Sequence, residues 1–214
     1  DNIAITRSCL PPEEIGGDVY GNCDWECFFT VTWSPPDCSL PLIEYSFIYD
    51  DNSWEDGLRG VIGDTLWIGN LFPISPLITG TMESIDVYFA DNGTGSPQTL
   101  FIELFDTYGN SLGAPVSFFT PMPDYWINIP LPSISFFGPI YAMVKYDNLQ
   151  SNGYYLACDM DGPYVSQFLA YMYDGTSWSY PTYWPGGAVF FVRGHAMIES
   201  DIGEDKRVTI APMG

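Results

Sequence analysis

Hydrophobic and polar positions alternate strictly along Ile85-Asp86-Val87-Tyr88-Phe89, a period of two that predicts a strand with one buried face. The turn Asp91-Asn92-Gly93 follows, and Leu100-Phe101-Ile102-Glu103-Leu104-Phe105 then predicts a neighbouring strand. Further strands are expected over residues 43–49, 125–129, 140–146, 154–158 and 168–173, and from Ala188 through Val192 to Ile198. The run Phe28 to Trp33 is β-branched and aromatic and leads into Pro35-Pro36, which cannot continue a central ladder, so it is expected at a sandwich edge. No window of useful length carries a helical period.

These elements predict an all-β fold, an antiparallel β-sandwich of jelly-roll-like type with a small disulfide-stapled β segment at the N-terminus. Residues 1–42 form that segment, 43–198 the sandwich, and 199–214 a polar linker leading into a terminal strand at Val208-Thr209-Ile210.

Composition agrees with this picture. Hydrophobic residues make up 46% of the 214 positions and aromatics 17%, while 21 Gly and 18 Pro are spread along the chain, as many short strands separated by turns require. Acidic residues number 27 against six basic ones, for a formal net charge of -21. Nucleic acid and anionic membrane surfaces would repel such a chain. Many of the Asp residues sit beside Gly or Asn, in turns that either chelate hard cations or simply keep an aromatic surface soluble.

Cys9, Cys23, Cys27 and Cys38 crowd the first forty residues, whereas Cys158 stands alone in an apolar run and reads as a buried free thiol. Four clustered cysteines allow three pairings. Zinc is the competing reading, although the spacing matches no standard knuckle and the chain holds a single His. No apolar run approaches the ~20 residues that span a bilayer, so direct membrane insertion is not expected. No basic-then-apolar leader opens the chain, and with the cysteines this predicts an exported protein, extracellular or at a cell surface.

The residues Pro11-Pro12, the strand ending Val31-Thr32-Trp33-Ser34-Pro35-Pro36 and the turn Tyr49-Asp50-Asp51 carry a resemblance. So do Gly153 to Asp159, Asp174-Gly175-Thr176-Ser177-Trp178 and Val189 to Gly194. Together they resemble modules of large secreted Bacteroidetes-type surface proteins, in which a partial fibronectin-type-III-like strand pair precedes a jelly-roll adhesin domain. The resemblance spans roughly residues 11 to 198 and implies export, often by the type IX route, with attachment to a cell surface or a larger chain. Two features depart from it. Asn52 stands where the family turn commonly has Gly, and the four early cysteines are not part of the pattern.

The acidic turn Asp50-Asp51-Asn52, with Glu55 and Asp56 close behind and Asp159 and Asp161 at the end of another strand to complete it, is the candidate calcium site, calcium being the one cofactor expected. A solvated turn bonding its own backbone is the alternative. Trp178, Tyr180, Tyr183 and Trp184 lie within seven positions on a Pro-rich loop, where flat rings either stack on a sugar or peptide ligand or cover the end of the sandwich. Trp54 and Trp67 are expected in the core. His195 reads as an edge residue, not a general base. Glu44, Glu83 and Glu103 are the strand carboxylates from which a glycosidase pair would be drawn, and the poor acid-base inventory argues against an enzyme. Asn92-Gly93-Thr94 and Asp64-Thr65 match short glycosylation patterns.

Two non-catalytic functions follow. One is an adhesion or carbohydrate-binding module whose partner is a glycan or a cell-surface protein. The other is a subunit of an extracellular fibre whose partners are neighbouring copies of itself, joined through terminal strands such as Asn2 to Thr6 or Val208 to Ala211.

Overall fold

A computed structural model of the chain describes residues 42–63, 65–90, 93, 95–147 and 151–199, together with the backbone of strands 15–20 and 28–33. The chain divides into two compact units with a boundary before Leu42. The described part of the first is one antiparallel hairpin, β1 (Ile15–Tyr20) with β2 (Phe28–Trp33), Ile15 standing opposite Trp33 and Tyr20 opposite Phe28. Phe28 to Trp33 is thus paired in a two-stranded sheet and not at a sandwich edge. Its partner escapes the pattern reading because Gly16-Gly17 breaks the apolar alternation. Cys9, Cys23, Cys27 and Cys38 lie outside the described residues, as do Asn2 to Thr6 and Val208 to Ala211.

The second unit is all-β and antiparallel. In chain order its strands are β3 (Leu42–Phe47), β4 (Asp56–Leu58), β5 (Thr65–Phe72), β6 (Thr79–Ala90), β7 (Gln98–Asp106) and β8 (Val116–Thr120). They continue with β9 (Tyr125–Phe137), β10 (Ile140–Asp147), β11 (Tyr155–Asp159), β12 (Ala170–Tyr173), β13 (Trp178–Ser179), β14 (Val189–Phe190) and β15 (Val192–Glu199). One sheet runs β13-β12-β5-β10-β7-β8. The other runs β14-β11-β6-β15-β3, with β4 added on β11 and β9 on β6.

The two sheets share one core, which is what makes the unit sandwich-like. From the first come Ile68, Phe72, Ile102, Val144 and Tyr146, and from the second Phe47, Ile85, Val87, Leu156 and Phe190. Alternation does the sorting: β7 buries Leu100, Ile102 and Leu104 while Phe101 and Glu103 point outward. Phe47 and Phe72 stack across the layers, with centroids 4.7 Å apart and planes 4° from parallel, a contact that adds about 0.5–1.5 kcal/mol to the area buried. The Tyr146 hydroxyl lies inside this core and donates to the Tyr154 carbonyl at 3.0 Å. Burial pushes its pKa well above the ordinary tyrosine range.

The first sheet also carries an aromatic layer on its outer face. Trp178 stacks on Tyr141 at 4.4 Å and on Tyr173 at 4.6 Å, and Phe105 meets it edge-on at 5.5 Å. Trp67 lies on this face, not in the core, half-buried and donating its Nε1–H to Glu103 at 2.8 Å. Trp54 likewise is no core residue, being 44% exposed. Each of these rings carries a polar indole edge that is cheaper to leave near water than to bury unpaired.

Candidate binding groove

The loop from Tyr180 to Ala188 is built from two linked turns. Trp184 N–H donates to the Pro181 carbonyl at 3.3 Å, and Gly187 N–H donates to the Trp184 carbonyl at 2.9 Å. A proline opens the first turn and Pro185 takes the second position of the next, where its fixed φ suits the bend. Gly187 has φ +93°, and a Cβ there would stand 2.1 Å from the Val165 carbonyl oxygen. No other residue meets both requirements. On the facing segment a 3₁₀ turn, Val165–Gln167, ends at Phe168 with φ 54°. The sequence reads a strand from Phe168, but a left-handed residue cannot start one, and β12 begins at Ala170.

Between these segments lies an open groove of about 540 Å³, lined by Phe168, Tyr180, Pro181, Trp184, Pro185 and Gly187 among others. Gln167, Thr182 and the Tyr180 hydroxyl supply its polar groups, and among the described residues no charged side chain lines it. Trp184 forms a fixed wall. It is 6% exposed, lies edge-on to Phe190, and donates its Nε1–H to Asp56 Oδ2 at 3.0 Å. Tyr180 is 48% exposed, and its hydroxyl shares a 2.7 Å hydrogen bond with that of Tyr171. Burial first, and that bond second, raise the Tyr171 pKa. Phe168 meets the Tyr180 ring edge-on at 6.2 Å.

The four aromatics singled out by sequence therefore part company. Tyr180 and Trp184 line the groove. Trp178 does not, because its faces are taken by Tyr141 and Tyr173, and Tyr183 stands outside the lining at 64% exposed. Phe168 was not legible as a site residue, and Asp56 reads from the sequence as a calcium ligand, whereas the structure gives it to the Trp184 indole. The one trace of Phe168 is an apolar residue following the polar pair Ser166-Gln167.

The acidic candidates also divide. Asp51, Asp159 and Asp161 each offer a carboxylate oxygen within 4.8 Å of the others. Asp50 is committed elsewhere, held by the Arg193 guanidinium in a paired contact. Asp159 is buried, and its oxygens accept the N–H groups of Asp51 at 3.0 Å, Asp161 at 3.0 Å and Gly162 at 2.6 Å. Backbone and hydroxyl donation from Ser53 hold the Asp51 carboxyl below the usual range.

His195 lies on β15, flanked by β3 and β6, and so is not at an edge. Its Nε2 is 2.8 Å from Asp86 Oδ2 and its Nδ1 3.1 Å from Ser46 Oγ, while Asn128 Nδ2 donates to Asp86 Oδ1 at 2.6 Å. This polar row crosses four strands, and none of its residues lines the groove. Glu103 points outward from one sheet while Glu44 and Glu83 are exposed on the other, so the core lies between Glu103 and either of them. Cys158 is a buried free thiol whose pKa burial raises. Asp64, Asn92 and Thr94 lie outside the described residues.

Among the described residues no helix is long and apolar enough to cross a membrane. No protein-family model matches the chain, and no curated protein matches its sequence.

Proposed function

We propose that this chain is a non-catalytic, extracellular binding module of jelly-roll type that holds a glycan against the aromatic groove. The observation that carries the reading is Phe168: a large apolar side chain, 46% exposed, kept at a groove mouth by a left-handed backbone conformation. Such a conformation costs about 1–3 kcal/mol and persists where the surroundings impose it, most often at ligand sites. Opposite it, Tyr180 offers a second exposed ring, and Trp184 is locked in place before any ligand arrives. Rigid aromatic faces with a few polar groups suit the apolar face and ring hydroxyls of a sugar. In this reading the groove is an adhesion site at a cell surface, and a calcium ion at Asp51, Asp159 and Asp161 would brace the two loops that carry them.

A glycan array followed by calorimetry on the strongest hit tests the proposal. Tyr180→Ala and Phe168→Ala should each weaken binding about tenfold or more. Full affinity in both variants would remove the groove from the function.

A further inference from the structure

The described lining of the groove is uncharged, yet it belongs to a chain with a formal net charge of -21. One carboxylate touches its wall directly. Asp56 begins β4, which pairs with β11 so that Asp56 stands opposite Cys158. Its Oδ2 accepts the Trp184 Nε1–H at 3.0 Å, and its Oδ1 accepts the Gly57 N–H at 2.8 Å. No cation bonds it. Among the described residues the three basic side chains are used elsewhere: Arg193 on Asp50, Lys145 on Asp147, and Arg59 over the Tyr155 ring and on the Gly153 carbonyl.

We propose that Asp56 is the specificity-determining residue of the groove: it orients Trp184, and its charge, uncompensated among the described residues, restricts the ligand to neutral glycans. The inference rests on the glycan-binding reading above and names the ligand class that reading leaves open. A ligand stacked near Trp184 comes within reach of a carboxylate that none of the described cations neutralises. A uronate, sulfate or sialate group on that ligand would meet a like charge at close range, in addition to the field of the whole acidic surface. A neutral sugar meets neither. Its hydroxyls find Gln167, Thr182 and the Tyr180 hydroxyl as donors or acceptors.

Two separate effects are assigned to Asp56, and substitution resolves them. Asp56→Asn keeps an acceptor oxygen for Trp184 Nε1–H while removing the charge. Asp56→Ala removes both.

The test compares matched neutral and uronate-bearing oligosaccharides on an array, with affinities measured at low and high salt. The native chain should favour the neutral set by about five- to tenfold at low salt, the scale of one like charge held several ångströms away. That preference should shrink as salt rises. Asp56→Asn should keep neutral binding and lose most of the discrimination, whereas Asp56→Ala should weaken the neutral set as well, with a changed Trp184 fluorescence spectrum. Equal binding of both sets by the native chain, or unchanged discrimination in Asp56→Asn, overturns the assignment while leaving glycan binding intact. Binding of neither set, or binding indifferent to Tyr180→Ala, overturns the glycan reading and this inference with it.

Discussion

Asn70, on the central part of β5, reaches across the sandwich and closes a two-way hydrogen bond with the Phe190 peptide. Its Nδ2 donates to the Phe190 carbonyl at 2.7 Å and to that of Val192 at 3.3 Å, and its Oδ1 accepts the Phe190 N–H at 2.9 Å. The side chain is fully buried. These are the backbone groups left over where the strand is interrupted at Phe191, between β14 and β15. An amide can donate and accept at once, which a carboxylate or an aliphatic chain cannot.

Asn70→Ala should therefore lower stability by about 3 kcal/mol, because up to three buried backbone groups lose their partner. Asn70→Asp should cost at least as much, since a buried charge replaces the lost donor. Urea denaturation followed by tryptophan fluorescence measures both. A loss under 1 kcal/mol in either variant would show that water or a strand shift takes over the role.

Trp178 and Tyr180 are two residues apart and should fail in different ways. Trp178→Ala removes the ring that Tyr141 and Tyr173 stack on, so it should cost about 2 kcal/mol of stability. Tyr180→Ala removes a half-exposed ring and should change stability by less than about 1 kcal/mol. Glycan affinity should show the reverse order, Tyr180→Ala falling most. Measuring denaturation midpoints and array binding on the same two variants separates the roles.

Much of this architecture was legible because core strands declare themselves by alternation. β6, β7, β10 and β15 each place apolar side chains inward at every second position. The omissions share a cause. β5 reads Thr-Leu-Trp-Ile-Gly-Asn-Leu-Phe, in which Trp67 faces outward and buried Asn70 faces inward, so both break the simple pattern. At β8 the exposed Phe119 hides the same alternation, and β4 and β13 are too short to show a period. The aromatic loop was visible as chemistry. Which of its rings would be free was not, because that depends on Tyr141 and Tyr173, which lie on strands far away in sequence or on the other side of a turn. Asp50 was lost to Arg193 for a similar reason: the partner is 143 residues away.

The proposed calcium ion gives a thermal signature. Three carboxylates with oxygens within 4.8 Å of one another repel unless a cation or donors intervene. Calcium at about ten times its dissociation constant should add about 1.4 kcal/mol, a rise in melting temperature of about 3–6 °C for a unit of this size. Asp161→Asn should abolish the rise, and chelator should reverse it in the native chain. No calcium-dependent shift would mean that the N–H groups bonded to Asp159, together with Ser53 on Asp51, suffice to hold these loops.

Acid should loosen the β12–β13 hairpin through Asp174. This carboxylate closes the turn, accepting the Thr176 hydroxyl at 2.7 Å and the N–H groups of Thr176 and Ser177, each at 2.8 Å. The Thr176 hydroxyl, followed by the two N–H groups, holds its pKa well below the usual carboxylate range. A pKa lowered by folding means that the charged form favours the folded turn. The contribution is complete above the unfolded value, about pH 4, and is lost as pH falls through the depressed folded value. Because the side chain is exposed, salt should weaken the effect. Amide exchange of Thr176 and Ser177 should therefore stay protected, relative to the intrinsic rate, down to pH 4 and lose protection below it. In Asp174→Ala that acid step should disappear and protection should be low at every pH, whereas an unchanged profile would show that stacking on Trp178 alone keeps the hairpin closed.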